Sequence, residues 1–434
     1  MLCAAASLLL AAWIAGTTPT AQGAAVLEPA DGTVYFGAWL NLSDDTPLAF
    51  NKRMGFNASS FQMSQNIPLD PFDYVTGSGG EIDETLLEAT QTNASLFLTV
   101  YPTTTLDLIN STSLTLLGEQ ILGYQSAPYN RSVFLRYAPE MQGDWFVYGL
   151  APTSFLSGWK TMYTTIKSIA PDTVIVWSPN NAFGYPWGYS LSQAATTADQ
   201  TLLDTNGDGD YTSADDAYSP YYPGDDYVDW AGFSYYEKGL TYPYVNNVAM
   251  PNGSFETAWI GDNDTVVTPF YSTYCETPAR PCVVSEAGAA FHVNTTEGDG
   301  IGQLALEQLW WLDSWANSTF FATYPLVKMV QLFEFAKVEE EEQRDYRITY
   351  NSTLLSAFTS SLLASVPSLY QSPIYQADSS SSSDGTNADA SGSASSASST
   401  CPSLFGGAAP SLRGVGWEML LGAVVGVLGA VFCL

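Results

Sequence analysis

Short apolar runs alternate with longer amphipathic segments along the chain from Val26 to about Tyr375. Eight of the runs have the composition of buried strands: VYFGAWL, ASSFQM, SLFLTVY, SVFLRYA, TVIVWSP, VDWAGFSYY, PCVVSEAG and VKMVQLFEF. Because helical segments separate them, they predict parallel strands joined by crossover helices. The length suits a single (β/α)8 TIM barrel over residues 24–375. An open doubly wound sheet is the alternative, but no glycine-rich phosphate turn follows the first run.

Both ends of the chain have the pattern of processing signals. Residues 1–23 carry an apolar run and end in Ala-Gln-Gly, the small-x-small pattern of signal-peptide cleavage; an uncleaved anchor is the alternative. Residues 376–405 form a Ser/Ala-rich linker with too few apolar side chains to fold. Residues 406–434 combine small residues, a spacer and a terminal apolar run, which predicts a glycosylphosphatidylinositol (GPI) signal rather than a tail-anchored helix. We therefore expect an extracellular protein that a lipid anchor holds at the plasma membrane or wall.

Glycosylation sequons and cysteines agree with an extracellular location. Asn-x-Ser/Thr acceptors, which carry glycans only in secreted chains, lie at Asn41, Asn57, Asn93, Asn110, Asn130, Asn252, Asn263, Asn294, Asn317 and Asn351. Cys3 and Cys433 lie in segments predicted to be removed, and Cys401 lies in the linker. The close pair Cys275 and Cys282 predicts a disulfide that closes a small loop.

Charge and aromatic content narrow the class of partner. The net charge of -31 repels nucleic acid and anionic polymers, so a neutral substrate fits better. Aromatic residues make up 14% of the chain, and exposed rings in a groove suit the faces of sugars. A large aromatic core is the alternative for most of them. We expect a monomer.

Two glutamates end predicted strands at the same edge of the barrel. Glu140 ends the fourth run and Glu286 the seventh, and the chemistry of a TIM barrel lies at the C-terminal ends of its strands. In an extended strand Arg136, Ala138 and Glu140 would share one face. A retaining glycosidase uses two catalytic carboxylates about 5 to 5.5 Å apart. A structural role for either glutamate is the alternative.

Four motifs, in this order, resemble glycoside hydrolase family 26, whose members are mostly β-mannanases on a (β/α)8 barrel. They are LRYAPEMQGDW, VIVWSPN, YYPGDDYVDWAGFSYY and SEAG. The resemblance implies that Glu140 is the general acid/base and Glu286 the nucleophile. It further implies that Trp145 stacks on sugar and that Tyr236 hydrogen-bonds near the nucleophile.

Further residues of these motifs are candidates for substrate binding or departures from the family. Arg136 and Trp177 are added to the substrate-binding set. Arg136 would pair with a site carboxylate or equally hold the fourth strand to a neighbour. Pro139 and Gln142 stand where the family has His and Asn, which puts mannan specificity in doubt. The single histidine, His292, is expected in a surface loop.

A second motif, DTNGDGDYTSAD, fits the calcium loop of an EF-hand and resembles the loops of dockerins. Gly209 would make the sharp turn, and an acidic turn without an ion is the alternative. We expect structural calcium and no catalytic cofactor. The predicted ligands are Asp204, Asn206, Asp208, Asp210, Thr212 and Asp215.

Three classes of function remain open. The first is a secreted retaining endo-β-glycosidase that acts on a neutral β-glycan such as mannan, or a transglycosylase with the same chemistry. The second is a catalytically weak or inactive cell-surface protein that binds glycan, and the third is a structural wall glycoprotein. Burying two carboxylates costs free energy, and a protein that only binds glycan has no need of them. Their presence therefore favours the first class.

Overall fold

The computed structural model describes residues 25–69, 82–240, 244–262, 266–294, 300–317, 319–339, 341–365 and 369–370. The predicted signal peptide 1–23, linker 376–405 and GPI signal 406–434 lie outside these residues. Within them, no helix is both long enough and apolar enough to cross a membrane.

Eight parallel strands close into a barrel, which confirms the predicted (β/α)8 fold. In chain order the strands are β1 (Val34–Leu40), β2 (Ser60–Ile67), β3 (Ser95–Pro102), β4 (Val133–Tyr137), β5 (Val174–Trp177), β6 (Trp230–Glu237), β7 (Cys282–Ala289), β8 (Phe291–His292), β9 (Val327–Glu334), β10 (Ala336–Glu339), β11 (Glu342–Asp345) and β12 (Leu369–Tyr370). The barrel consists of β1 to β7 and β9, with β9 pairing back onto β1. Each of the eight predicted apolar runs forms one barrel strand.

Helices occupy the connections between the strands. They are α1 (Pro47–Met54), α2 (Thr85–Glu88), α3 (Ser111–Gln125), α4 (Pro152–Ile169), α5 (Thr197–Leu203), α6 (Ser254–Ile260), α7 (Gln303–Asp313), α8 (Phe320–Thr323) and α9 (Ser352–Ser365). The first helix shows why such a segment begins and ends where it does. The Thr46 side chain accepts from the Ala49 N–H, proline occupies the first turn, and Gly55 ends the helix at φ 76°.

The side chains inside the barrel form an apolar layer, followed by a polar layer nearer the C-terminal ends of the strands. The apolar layer is Phe97, Phe134, Val174, Val176, Trp230, Val283 and Met329. Side chains that point inward recur every second residue along a strand. Two residues beyond the paired Phe97 and Phe134, the inward positions are therefore Thr99 and Arg136, which also pair. This switch from apolar to polar marks the C-terminal mouth of the barrel.

A small antiparallel sheet of β10, β11 and β8 follows the ends of the barrel strands. It buries His292, which is 1% exposed and has Nε2 3.0 Å from the Lys238 carbonyl oxygen. The expectation of a surface histidine was therefore wrong. Elsewhere, Cys275 and Cys282 are joined in a disulfide at the start of β7.

Candidate active site

Glu140 is placed by a turn rather than by a strand. β4 ends at Tyr137, and both Ala138 (φ 46°) and Glu140 (φ 55°) have left-handed backbone conformations. The extended face predicted for this stretch therefore stops short of the glutamate. The Glu140 N–H donates to the Ser178 carbonyl at 3.0 Å, and this bond holds the turn against the end of β5. Left-handed backbone in non-glycine residues persists only where the surroundings hold it, and it clusters at functional sites.

Glu286 faces the barrel interior because β7 contains a bulge. Phe233 of β6 is in register with Val284, but the next residue, Ser234, is in register with Glu286, so Ser285 is the extra residue. A bulge re-aims the side chains beside it. Ser285 Oγ lies 2.9 Å from the Ser178 hydroxyl, and the adjacent Glu286 carboxylate also reaches the interior.

Arg136 joins the two candidate carboxylates. Its side chain is fully buried, and its guanidinium contacts Oε1 of Glu286 while Nη2 lies 3.8 Å from Oε1 of Glu140. The same group donates to Ser178 at 2.9 Å and to Ser234 at 2.7 Å. Both suggested roles of Arg136 are thus present, since it pairs with the site carboxylates and holds β4 to its neighbours. Glu140 and Glu286 therefore belong to a single site.

The Glu286 carboxylate has two further donors. The Tyr236 hydroxyl donates to Oε2, and the Gln62 side-chain amide lies 3.5 Å from Oε1. Gln62 is itself held by a 3.0 Å bond to Thr99. Burial, followed by the charges of Glu286 and Glu140, raises the pKa of Tyr236 well above its usual value. The phenol therefore keeps its proton and remains a hydrogen-bond donor.

The surroundings of Glu140 raise the pKa of its carboxyl above the ordinary value. Burial, and next the negative charge of Glu286, raises its pKa, while Arg136 and hydrogen bonds from Ser234 and Trp145 oppose that rise. The Trp145 indole N–H donates to Oε2 of Glu140 at 3.0 Å. A raised pKa is what a general acid requires at neutral pH.

Aromatic side chains surround the two carboxylates. Trp145 is half-buried and meets Trp187 at an interplanar angle of 64°, with ring centroids 5.1 Å apart. On the other side, the ring of Tyr236 meets Phe333 at 5.2 Å, and Phe333 meets Trp39 at 5.5 Å. The partly exposed indoles of Trp39, Trp145 and Trp187 offer apolar faces to a bound sugar.

Two other motif residues have packing roles. Trp177 is fully buried among Tyr222, Phe270 and Tyr274, and its indole N–H donates to a backbone carbonyl at 3.1 Å. It has no surface for substrate, so the predicted binding role does not fit its position. Gln142 is also fully buried; its side chain exchanges two 2.9 Å hydrogen bonds with the backbone of Asn180.

The acidic loop 204–215 is held by its own backbone. Asp204 accepts from the N–H groups of Asp208 at 3.0 Å and Gly209 at 2.9 Å, and the buried Asp215 accepts from Thr205 and Thr212. In the described part of the chain, no three His, Cys, Asp or Glu side chains are grouped so as to hold a metal ion. Calcium binding by this loop stays a prediction.

Sequence reasoning missed the polar frame around Arg136. Gln62, Thr99, Ser178 and Ser234 are all buried and lie in or directly after barrel strands. Each is a polar residue in or beside an apolar run. Such a residue near the C-terminal end of a predicted barrel strand was the available signal.

The fold of this chain is similar to that of several solved structures. No family model matches the chain, and no curated protein matches it. Among solved structures, it is similar to a Cellulomonas fimi endo-beta-1,4-mannanase double mutant, with 13% identity over 79% of this chain and 73% of that one (TM-score 0.47). The Bacillus subtilis mannanase BCman shows 12% identity over 82% and 90% (TM-score 0.42), and a Podospora anserina GH26-CBM35 beta-(1,4)-mannanase shows 11% over 79% and 63% (TM-score 0.41). At these identities the similarity concerns the fold alone.

Proposed function

We propose that this protein is an extracellular retaining glycoside hydrolase that cleaves a neutral β-glycan such as mannan within the chain. One observation carries the proposal: the buried Arg136 pairs with Glu286 of β7 and with Glu140 in the turn after β4, so two carboxyl groups far apart in sequence share one site. Glu140 has a raised pKa, while the Glu286 carboxylate is paired with a cation. A proton donor beside an ionised nucleophile is the combination that double displacement needs.

The first half of the reaction forms a glycosyl-enzyme. A carboxylate oxygen of Glu286 bonds to the anomeric carbon as the glycosidic bond breaks, and Glu140 gives its proton to the departing oxygen. In the second half, water attacks the anomeric carbon and passes a proton to Glu140, which frees Glu286. A sugar hydroxyl in place of that water gives transglycosylation by the same residues.

Two features of the site support a neutral polysaccharide as the substrate. The half-buried Trp145 lies directly beside Glu140, which is where a stacking ring would hold the sugar next to the bond that breaks. The chain's net charge of -31 opposes binding of polyanions.

Two single variants and two kinds of substrate test the roles. Glu286→Ala should abolish turnover of every substrate, because no group remains to form the intermediate. Glu140→Ala should lose about 10²- to 10⁴-fold on natural glycan but spare the first step with an aryl glycoside, whose leaving group needs little protonation. Added azide should restore turnover of the aryl glycoside in this variant. Equal losses on both substrates without azide rescue would contradict the assignment.

A glycan-binding protein without turnover is the second candidate. Pro139, at the position of the family's histidine, has no side-chain donor, and its carbonyl accepts from the Tyr148 hydroxyl at 2.8 Å. The two candidates separate on a panel of mannan, mixed-linkage glucan, xylan and β-1,3-glucan. Binding without release of reducing ends from any polymer would favour the second.

A further inference from the structure

The acidic loop 204–215 connects to the candidate site through a line of aromatic side chains. The hydroxyls of Tyr211, in the loop, and Tyr185 lie 2.6 Å apart, and their rings meet edge to face with centroids 5.4 Å apart. Tyr185 meets Trp187 edge to face at 5.4 Å. Trp187 in turn meets Trp145 at 5.1 Å. Four rings therefore lead from the loop to the mouth of the barrel.

The line ends at the proton donor. The Trp145 indole N–H donates to Oε2 of Glu140 at 3.0 Å, while Arg136 lies 3.8 Å from the other oxygen. An indole has one donor, in the plane of its ring. The angle of Trp145 therefore decides whether this hydrogen bond to Glu140 is made.

The segment that carries Tyr185 and Trp187 depends on its surroundings. Trp187 has φ 54°, a left-handed conformation that is costly for a bulky residue and persists only where neighbouring contacts hold it. Its indole N–H is bonded to the Phe183 carbonyl at 2.7 Å within the same turn. Tyr185 is 3% exposed, and burial raises its pKa well above the usual value, so its hydroxyl stays neutral. The contact with Tyr211 comes from outside the turn.

We infer that Tyr211 is a positioning residue for Glu140: it fixes Tyr185 and Trp187, and through them the angle of the Trp145 indole. The inference rests on the proposed function, in which Glu140 is the general acid/base. It gives the acidic loop a part in proton transfer in addition to any part in folding, and it does not depend on a bound ion.

Loss of this line should change the titration of Glu140. The Trp145 donor lowers the pKa of Glu140, so removing it should raise that pKa further. Titratable or charged groups that face Glu140 come from several elements, and all remain in the variant: Arg136 of β4, Tyr101 of β3, Tyr236 of β6, Glu286 of β7 and Tyr148 after β4.

An indole titration tests the connection without any activity measurement. In the full chain labelled with ¹⁵N-tryptophan, the Trp145 indole N–H resonance, assigned through Trp145→Phe, should move with pH as Glu140 titrates. Tyr211→Ala should raise the midpoint of that movement or abolish it, and Tyr211→Phe should give a smaller change in the same direction. Tyr227→Phe, which removes a hydroxyl at the opposite end of the barrel before β6, should leave it unchanged. An unaltered titration in both Tyr211 variants would overturn the inference.

Kinetics supply the second readout. Tyr211→Ala should lower kcat on natural glycan about 10-fold, a part of the general-acid contribution, with little effect on the first step with an aryl glycoside. The basic limb of the kcat/KM profile should move to higher pH. Equal losses on both substrates with an unmoved profile would mean a purely structural role. If the wild-type chain has no glycosidase activity, the proposed function fails, while the indole titration still decides whether Tyr211 positions Trp145 against Glu140.

Discussion

Arg136 and Glu286 form a buried ion pair between β4 and β7, two barrel strands that are not neighbours. The arginine side chain is fully buried, and that of the glutamate is 7% exposed. Two ions in such surroundings are stable only with good geometry and further hydrogen bonds. Here Ser178 and Ser234 accept hydrogen bonds from the guanidinium, and the Tyr236 hydroxyl donates one to the carboxylate.

Removing this arginine should affect the fold as well as the reaction. Arg136→Met leaves two buried carboxyl groups without their cation, so we expect unfolding free energy to fall by about 3–5 kcal/mol. Chemical denaturation followed by circular dichroism measures this loss. Arg347→Met is the matched control, since its bidentate pair with Asp345 is partly exposed and should contribute less than the buried Arg136 pair. Equal losses in the two variants would show that the Arg136 pair is not a special one.

Calcium should stabilise the fold through the acidic loop. Asp204, Asp208, Asp210 and Asp215 crowd negative charge into twelve residues, and a bound cation would relieve their repulsion. At a calcium concentration a hundredfold above Kd, binding to the folded state contributes about 2.7 kcal/mol. A chelator should therefore lower Tm by several degrees.

A substitution in the loop tests whether the effect of calcium comes from this site, and a substitution outside the loop is its control. Asp208→Ala should remove the response of Tm to chelator, while Asp172→Ala, at an exposed position outside the loop, should keep it. A wild-type melting curve that chelator leaves unmoved would identify the loop as an acidic turn held by its own N–H groups.

The C-terminal segment should be exchanged for lipid. We expect cleavage near Gly406 to Ala408 and release of the protein from membranes by phosphatidylinositol phospholipase C, because residues 406–434 have the small residues, spacer and apolar tail of an anchor signal. Mass spectrometry of the mature chain checks this. Recovery of a chain that still carries Phe432 and Leu434 would contradict it.

The barrel was predictable because its strands are buried on both faces. Such strands read as continuous apolar runs, and VYFGAWL coincides with β1 from Val34 to Leu40. The same pattern placed Glu140 and Glu286 near the C-terminal ends of two strands, although Glu140 lies in the turn after β4 and Glu286 lies within β7.

The orientation of the site residues was not predictable in the same way. Glu286 turns inward because Ser285 is an extra residue in its strand, and a bulge leaves no mark in an apolar pattern. The position of Glu140 depends on left-handed backbone at Ala138. Alanine rarely adopts that conformation, so the sequence does not predict it. A tryptophan at the end of a strand gives the same sequence pattern whether its side chain faces the core or the mouth of the barrel. Trp177 faces the core.

Three buried glutamates outside the site should make the protein more stable near pH 5 than near pH 8. Burial raises the pKa of Glu237 and of Glu334 to about 7, and that of Glu307 well above its ordinary value. Among the residues that the structure describes, no cation forms an ion pair with Glu237 or Glu334. Their carboxyls accept hydrogen bonds, as from the Tyr235 hydroxyl at 3.1 Å and the Thr349 hydroxyl at 2.6 Å. The folded state is therefore more stable when each of these carboxyls is protonated.

The sign of the pH dependence follows from proton binding. Between the unfolded pKa of about 4.5 and the folded value of about 7, the folded state binds more protons, so unfolding free energy falls as pH rises. The stabilisation is complete below pH 4.5 and is lost above pH 7, which amounts to about 3 kcal/mol for each such group. Denaturation at pH 5, 6, 7 and 8 should show this decline. Glu237→Gln, which cannot ionise, should flatten it in part, and Glu119→Gln on the surface of α3 should not. Stability that rises from pH 5 to pH 8 would contradict the prediction.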